Sequence, residues 1–247
     1  MSKAVAKTLG ALLAFAAGVI LALDGADVVT APARLLIACI VTSAALAAVA
    51  TIGSAWQEWR KRRLGQRREL AELTLTTTIW AVVDQVDPPL DYRDLGIAAY
   101  ALKPVWWWPW RARLRRVHRV RASRRPVSSD VAWRPGKGAI GACVVRGEVV
   151  AVDLAQMYAD LGEPTEEEWL RVPDDIRLGL SYEEYLNVRD KYAVVVATPV
   201  IDDSGSRSRV VGCVALDAPA GRLADLTTEE VLGLLNFASQ ALLRQVG

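Results

Sequence analysis

Between Leu35 and Trp56 the chain runs for 22 residues without a charged side chain, "LLIACIVTSAALAAVATIGSAW". About 20 apolar residues span a hydrocarbon core of roughly 30 Å, so this stretch predicts a transmembrane helix. A second uncharged run, "LGALLAFAAGVILAL" from Leu9 to Leu23, has 15 residues. Thr8 and a snorkelling Lys7 extend it toward spanning length. The intervening "DGADVVTAPAR" reads as a tight turn. Residues 1–56 are therefore expected to form a transmembrane hairpin with helices at about 8–23 and 35–56.

Positive charge sets the orientation of such a hairpin. Lys3 and Lys7 precede the first run, and the block "RKRRLGQRR" (Arg60 to Arg68) follows the second. The loop carries only Arg34. Both termini are expected in the cytoplasm, with Asp24 to Arg34 outside, as in a multi-pass bacterial inner-membrane protein. A signal peptide cleaved at "APA" (Ala31 to Ala33) is the rival reading. The arginine-rich flank leaves the rest of the chain inside in either case.

Residues 57–87 predict a helical linker. Leu75, Ile79, Val82 and Val86 step by 4, 3 and 4, a heptad seam, with Leu70 and Leu73 on an adjoining stripe. "DPPL" (Asp87 to Leu90) ends the helix, since neither proline can continue it. Two uses of the seam stay open and are compatible: a parallel homodimer, or packing on the chain's own domain.

Beyond the prolines, residues 88–247 read as one α+β domain around an antiparallel sheet. Leu95 to Lys103 and Arg111 to Ser123 predict neighbouring strands. "GAIGACVVRG" predicts a short helix or turn, and Glu148 to Leu154 a strand. An acidic stretch of loop and short helix follows. "YAVVVATPVIDD" and "SRVVGCVALDA" flank "DSGS" as a hairpin. A final helix follows, with Thr227 as N-cap, Glu230 at capping-box spacing, and Val231, Leu234, Leu235, Ala238, Leu242 and Val246 as its apolar stripe.

The segments "WRPGKGAIGACVVRGEVVAVDL" and "YAVVVATPVIDDSGSRSRVVGCVALDAP" resemble two stretches of GAF domains: a proline-glycine turn opening a short helix, and the hairpin that follows. The resemblance runs from about Thr74 to Gly247. It implies a GAF-like sheet flanked by helices, with the linker and last helices as a pair. It also implies a ligand pocket over the sheet, to which Asp153, Met157, Tyr158, Trp169, Tyr182, Tyr185 and Thr198 are assigned. The Asn-Lys signature of cyclic-nucleotide members is missing, because Asn187 is followed by Val188. The resemblance names no cofactor.

Catalysis is not expected. His118 is the only histidine, and Cys39, Cys143 and Cys213 form no CxxC. Cys143 and Cys213 read as buried thiols, with a thiol-dependent enzyme kept as an outsider. "RPGKGAIG" lacks the spacing of a phosphate loop, although Lys137 could attract an anion. Asp217 reads as a turn-capping residue.

"PVWWWPWR" reads as the connection between the first two strands. Trp106, Trp107, Trp108, Trp110, Arg111 and Arg113 are candidates for contact with an anionic membrane surface, given the tether. Edge-strand protection is the plainer alternative, and nucleic acid is the reading least favoured. No kinase, cyclase, phosphatase or DNA-binding module is expected after the last helix. The sequence therefore points to a membrane-anchored, non-catalytic sensor with a separate output protein. The alternative is a membrane effector whose domain controls oligomerisation of the hairpin.

Overall fold

The computed structural model describes residues 32–105, 108–123 and 131–246, with scattered positions between 15 and 26. The chain divides into two compact units, Met1–Gly65 and Gln66–Gly247. In the first, the described positions from 15 to 23 are helical; the rest of the first expected span lies outside the described residues. Helix α1 is Ala33–Gln85. Among the described residues it is the one helix long and apolar enough to cross a membrane, and its most apolar window, within Ile40–Gln85, buries none of its residues in the chain. The expected second span and linker are thus one uninterrupted helix, because no proline or paired glycines fall between them.

The second unit takes in the last turns of α1, so its boundary falls within the expected linker. Five antiparallel strands form one sheet in the order β2-β1-β5-β4-β3. They are β1 Gly96–Val105, β2 Trp108–Arg121, β3 Val150–Asp153, β4 Val194–Asp202 and β5 Arg209–Ala218. Helix α2 (Gly138–Arg146) precedes β3. Short helices α3 (Leu154–Leu161), α4 (Glu166–Arg171), α5 (Asp174–Arg177) and α6 (Tyr182–Val188) fill the acidic stretch. Helices α7 (Leu223–Leu226), α8 (Glu229–Ala241) and α9 (Leu243–Val246) follow the sheet.

Successive strand residues point to opposite faces, which gives this sheet two cores. Val194, Val196 and Val200 of β4, with Val214 and Leu216 of β5, pack in one cluster with Leu75, Ile79 and Val82 of α1 and Val231 and Leu235 of α8. Val195, Ala197, Cys213 and Ala215 take the other face, with Ile140 and Cys143 of α2 and a group of aromatic rings. Burying each Leu or Ile contributes about 1.5–3 kcal/mol. The expected seam is therefore occupied: Leu75, Ile79, Val82 and Val86 close onto the chain's own sheet. Leu70 and Leu73, on the adjoining stripe, are more than half exposed at 52% and 59%.

Local chemistry fixes the element ends. Asp202 accepts from the Ser204 amide at 3.1 Å and from Arg209 Nη2 at 2.8 Å, closing the β4–β5 turn. Those contacts hold its carboxyl down at about 2, the Ser204 hydroxyl first and Arg209 next. Complete capping boxes start α4 (Thr165 with Glu168) and α6 (Ser181 with Glu184). The last helix starts one residue later than expected. Thr228 is its N-cap, accepting from Val231 N, while the Thr227 hydroxyl donates back to Leu223 O at 3.0 Å. The connection between β1 and β2 is also shorter than expected. Val105 pairs with Trp108, so Pro104, Trp108, Pro109, Trp110 and Arg111 lie in strands. Trp106 and Trp107 lie outside the described residues.

Candidate ligand-binding site

Between the sheet and α2 lies a cavity of about 50 Å³. By volume it holds about three to five waters, at roughly 10–15 Å³ each. Its floor is the sheet face opposite α1, with Tyr100 of β1, Val195 of β4 and Ala215 of β5. Its roof is the start of α2 (Ala139, Ile140), with Tyr158 of α3 and Trp133. The polar end is formed by Arg119, Tyr192 and Asp217.

The roof is held by a tightly wound loop. Gly138 takes φ +65°, and a Cβ there would meet the Trp133 ring at 2.5 Å, so glycine alone fits. Its amide donates to Leu178 O at 2.7 Å. Lys137, 8% exposed, donates to both carboxylate oxygens of Glu184 at 2.7 and 2.8 Å, tying the start of α2 to α6. Burial alone would raise the Glu184 carboxyl. Lys137 and the Ser181 amide outweigh it and hold the group below the usual carboxylate range. Lys137 is thus committed to a protein carboxylate rather than to an incoming anion.

Five of the assigned pocket residues do assemble, all but Tyr158 set back from the cavity. Trp169 stacks on Tyr185 with centroids 4.1 Å apart, Tyr158 meets Tyr185 edge-on at 5.0 Å, and Tyr182 lies 6.2 Å from Tyr185. Met157 packs against the same cluster. Trp169 Nε1–H donates to Leu180 O at 3.2 Å, and Leu180 lines the cavity. Only Tyr158 of this set borders the cavity. Asp153 instead caps α3, accepting from Gln156 N at 2.9 Å. Thr198 falls on the other face of the sheet, since it shares strand parity with Val196 and Val200.

The polar residues of the cavity were not assigned from sequence. Asp217 stays in β5 and forms an ion pair with Arg121 of β2, so it is not a turn cap. Burial, and then the neighbouring Arg119 guanidinium, pull Arg121 below its ordinary value. Burial pushes the Tyr100 phenol far up, with Tyr192 and Cys213 adding to it, so Tyr100 is a neutral O–H donor. Burial does the same to Tyr158, whose hydroxyl has no hydrogen-bond partner. Leaving a buried donor unmet costs about 1–3 kcal/mol, a penalty that a bound acceptor would relieve.

The thiols sit in the same layer. Burial, helped by the Glu148 carboxylate, pushes Cys143 up to about 12. Cys213 lies well above its ordinary value through burial and the nearby Cys143. Both are protonated at neutral pH, and the thiolate is the nucleophile. Iodoacetamide at pH 8 is therefore expected to spare Cys143 and Cys213 in the folded chain and to modify both once urea unfolds it. Peptide mapping reads this directly, and labelling of Cys213 in the folded chain at a free-thiol rate would contradict it. Among the described residues no group of three or more His, Cys, Asp or Glu side chains could hold a metal ion.

No family model matches this chain, and no curated protein matches it. Solved structures with a similar arrangement include a type II free methionine-R-sulfoxide reductase from Thermoplasma acidophilum, at 11% identity and TM-score 0.40. That superposition covers 72% of this chain and 94% of the other. A GAF domain structure superposes at 11% identity and TM-score 0.39, covering 72% and 89%. A GAF domain/HD domain protein from Geobacter sulfurreducens follows at 15% identity and TM-score 0.36, covering 74% and 97%. Superpositions this loose carry no weight by themselves. The α+β assignment rests on the five-stranded antiparallel order and on the helices covering both of its faces.

Proposed function

We propose that this chain is a membrane-anchored sensor whose GAF-like domain binds a small molecule in the cavity beneath α2 and passes the signal to a separate protein. The observation that carries this reading is the cavity itself: a mostly apolar hollow with converging phenols and one unpaired buried hydroxyl. That is the chemistry of a small-molecule site. The strands beneath the cavity also form the bed for α1 and α8, so occupancy on one face bears on helix packing on the other. Such coupling requires a ligand with different affinity for two packings.

The anchor in this reading is the expected hairpin, with both termini in the cytoplasm. Ile40, Val41, Val49 and Ile52 of α1 are all more than half exposed, which suits lipid contact. Arg113, Arg115 and Arg116 are exposed on β2, an edge strand, where they would face anionic headgroups. A homodimer in this scheme would use Leu70 and Leu73, since the expected seam is committed to the core.

The test compares the purified full chain with Ala215→Leu, which fills the cavity floor. Small molecules released by denaturation are identified by mass spectrometry. One species is expected with the native chain and missing from the variant. If the two release the same molecules, the cavity is not a ligand site.

A further inference from the structure

We propose that α1 carries a binding site for the headgroup of an anionic phospholipid, built by Trp56, Trp59, Arg60 and Arg63. This rests on α1 crossing the membrane as proposed above, and concerns which lipid the helix holds and at what depth.

The four residues belong to one stripe. At 3.6 residues per turn, Val49, Ile52, Trp56, Trp59, Arg60 and Arg63 all fall within about 60° of Trp56 around the helix axis. All six are exposed, and along the helix they pass from aliphatic to aromatic to cationic. Tryptophan favours the headgroup level, where its ring meets lipid and its N–H meets water. From Trp56 to Arg60 the helix rises about 6 Å, and the headgroup layer on one side of a bilayer is roughly 5–8 Å deep. With Trp56 at the edge of the hydrocarbon, Arg60 therefore falls within that layer.

The arginines are aimed back toward the same depth. The Arg60 guanidinium lies over the Trp56 ring, 5.6 Å from its centroid, and the Arg63 guanidinium over the Trp59 ring at 5.1 Å. Each pair is spaced i, i+4, as neighbours on a helix surface are. A cation held by a ring face keeps N–H groups for an oxyanion, and the planar guanidinium fork matches the geometry of a phosphate.

Charge on the rest of the turn leaves this side to an anion. Glu58 is the one acid between Val49 and Arg63, about 160° from Trp56 around the axis. It is engaged there by Arg62 at 2.8 Å. A phosphate seated on Arg60 and Arg63 would lay its acyl chains along Val49 and Ile52, 68% and 69% exposed. Phosphatidylcholine brings a quaternary ammonium to the same two cations and is disfavoured, whereas phosphatidylglycerol is anionic throughout its headgroup. Lys61 and Arg62 point more than about 100° away from Trp56, so a site on the stripe does not need them.

The experiment uses the full chain in detergent, offered equal amounts of phosphatidylglycerol and phosphatidylcholine, with retained lipids counted by native mass spectrometry. Phosphatidylglycerol is expected in about fivefold excess or more, the scale of one arginine at an anionic surface. Arg60→Gln with Arg63→Gln should abolish the excess. Lys61→Gln with Arg62→Gln, which removes the same charge from the same turns, should keep it. Trp56→Leu with Trp59→Leu should lower it by about two- to fivefold, because the guanidiniums lose their rings. Far-ultraviolet circular dichroism checks that each variant keeps its helix.

Equal loss in the two charge-removing pairs would overturn the site and leave only general attraction between a basic helix and anionic lipid. An excess that survives Arg60→Gln with Arg63→Gln, and disappears when Arg113, Arg115 and Arg116 are changed to Gln, would move the contact to β2 and overturn it too. The anchor itself is read separately, by alkaline carbonate extraction of the chain from phosphatidylcholine vesicles. A chain that resists extraction but shows no headgroup preference removes this site alone; a chain that is extracted removes the anchor and the site together.

Discussion

Trp169→Ala is expected to destabilise the chain by about 3–5 kcal/mol, the usual cost of deleting a buried aromatic side chain. Trp169 is fully buried, and three separate contacts depend on it. It stacks on Tyr185, meets the edge of Tyr158, and holds Leu180 O through its indole N–H. A domain stable by about 5–15 kcal/mol would lose a large share of that margin. Urea unfolding followed by far-ultraviolet circular dichroism should show the transition moving to lower denaturant. Trp169→Phe separates packing from polarity: it keeps a stacked ring and loses the hydrogen bond, so about 1 kcal/mol is expected. Equal effects of the two substitutions would show that the hydrogen bond, not the ring, does the stabilising.

The second large effect is expected at the Lys137–Glu184 pair. Glu184→Ala strands the Lys137 ammonium in a site where its side chain is 10% exposed, and it also removes the carboxylate arm of the α6 capping box. Breaking a buried pair from one side costs about 3–5 kcal/mol. The partial exposure of Glu184, 20%, argues for the lower end. The pH dependence has a definite sign. Glu184 has a depressed folded-state value, so its contribution is present above the unfolded carboxyl value, about 4.3, and is lost as pH falls through the folded one. Native and Glu184→Ala chains should therefore differ most in urea midpoint at neutral pH and converge in acid. A gap that stays constant down to pH 3 would mean that packing, not charge, carries the effect.

Most of the fold could be read from the sequence because its signals are local. The β4–β5 hairpin is written in alternating β-branched residues around "DSGS", and five of the six residues assigned to the last apolar stripe are buried: Val231, Leu235, Ala238, Leu242 and Val246. The destination of the α1 seam was not local information. A heptad pattern states that Leu75 and Ile79 need a partner, and a sheet satisfies that need as well as a second helix does.

The site was less legible for a related reason. The aromatic residues from Tyr158 to Tyr185 pack together, and of them only Tyr158 forms part of the cavity wall. Arg119 escaped notice because strand parity fails on β2, and Asp217, read as a turn cap, stays within β5. A register shift opposite Ala99 and Tyr100 places Leu114 and Arg119, an odd number of residues apart, toward the same layer. Simple alternation would put them on opposite faces. An arginine-studded strand then looks uniformly wet, although Arg121 is nearly covered, with 10% of its side chain exposed.

The pairing of the first and last helices on one face of the sheet also has a consequence for how the chain is made. Leu75 and Ile79 share a core with Leu235, Leu242 and Val246, about 170 residues later in the sequence. At about 5–20 residues per second, the ribosome needs on the order of ten seconds or more to deliver that cover. Strand β1 waits about two-thirds as long for β5, its partner in the middle of the sheet. A nascent chain stalled before β5 therefore presents an uncovered apolar ridge on α1. Chaperones and proteases recognise such surfaces, so fragments ending short of Leu235 should be cleared from the cell rather than accumulate.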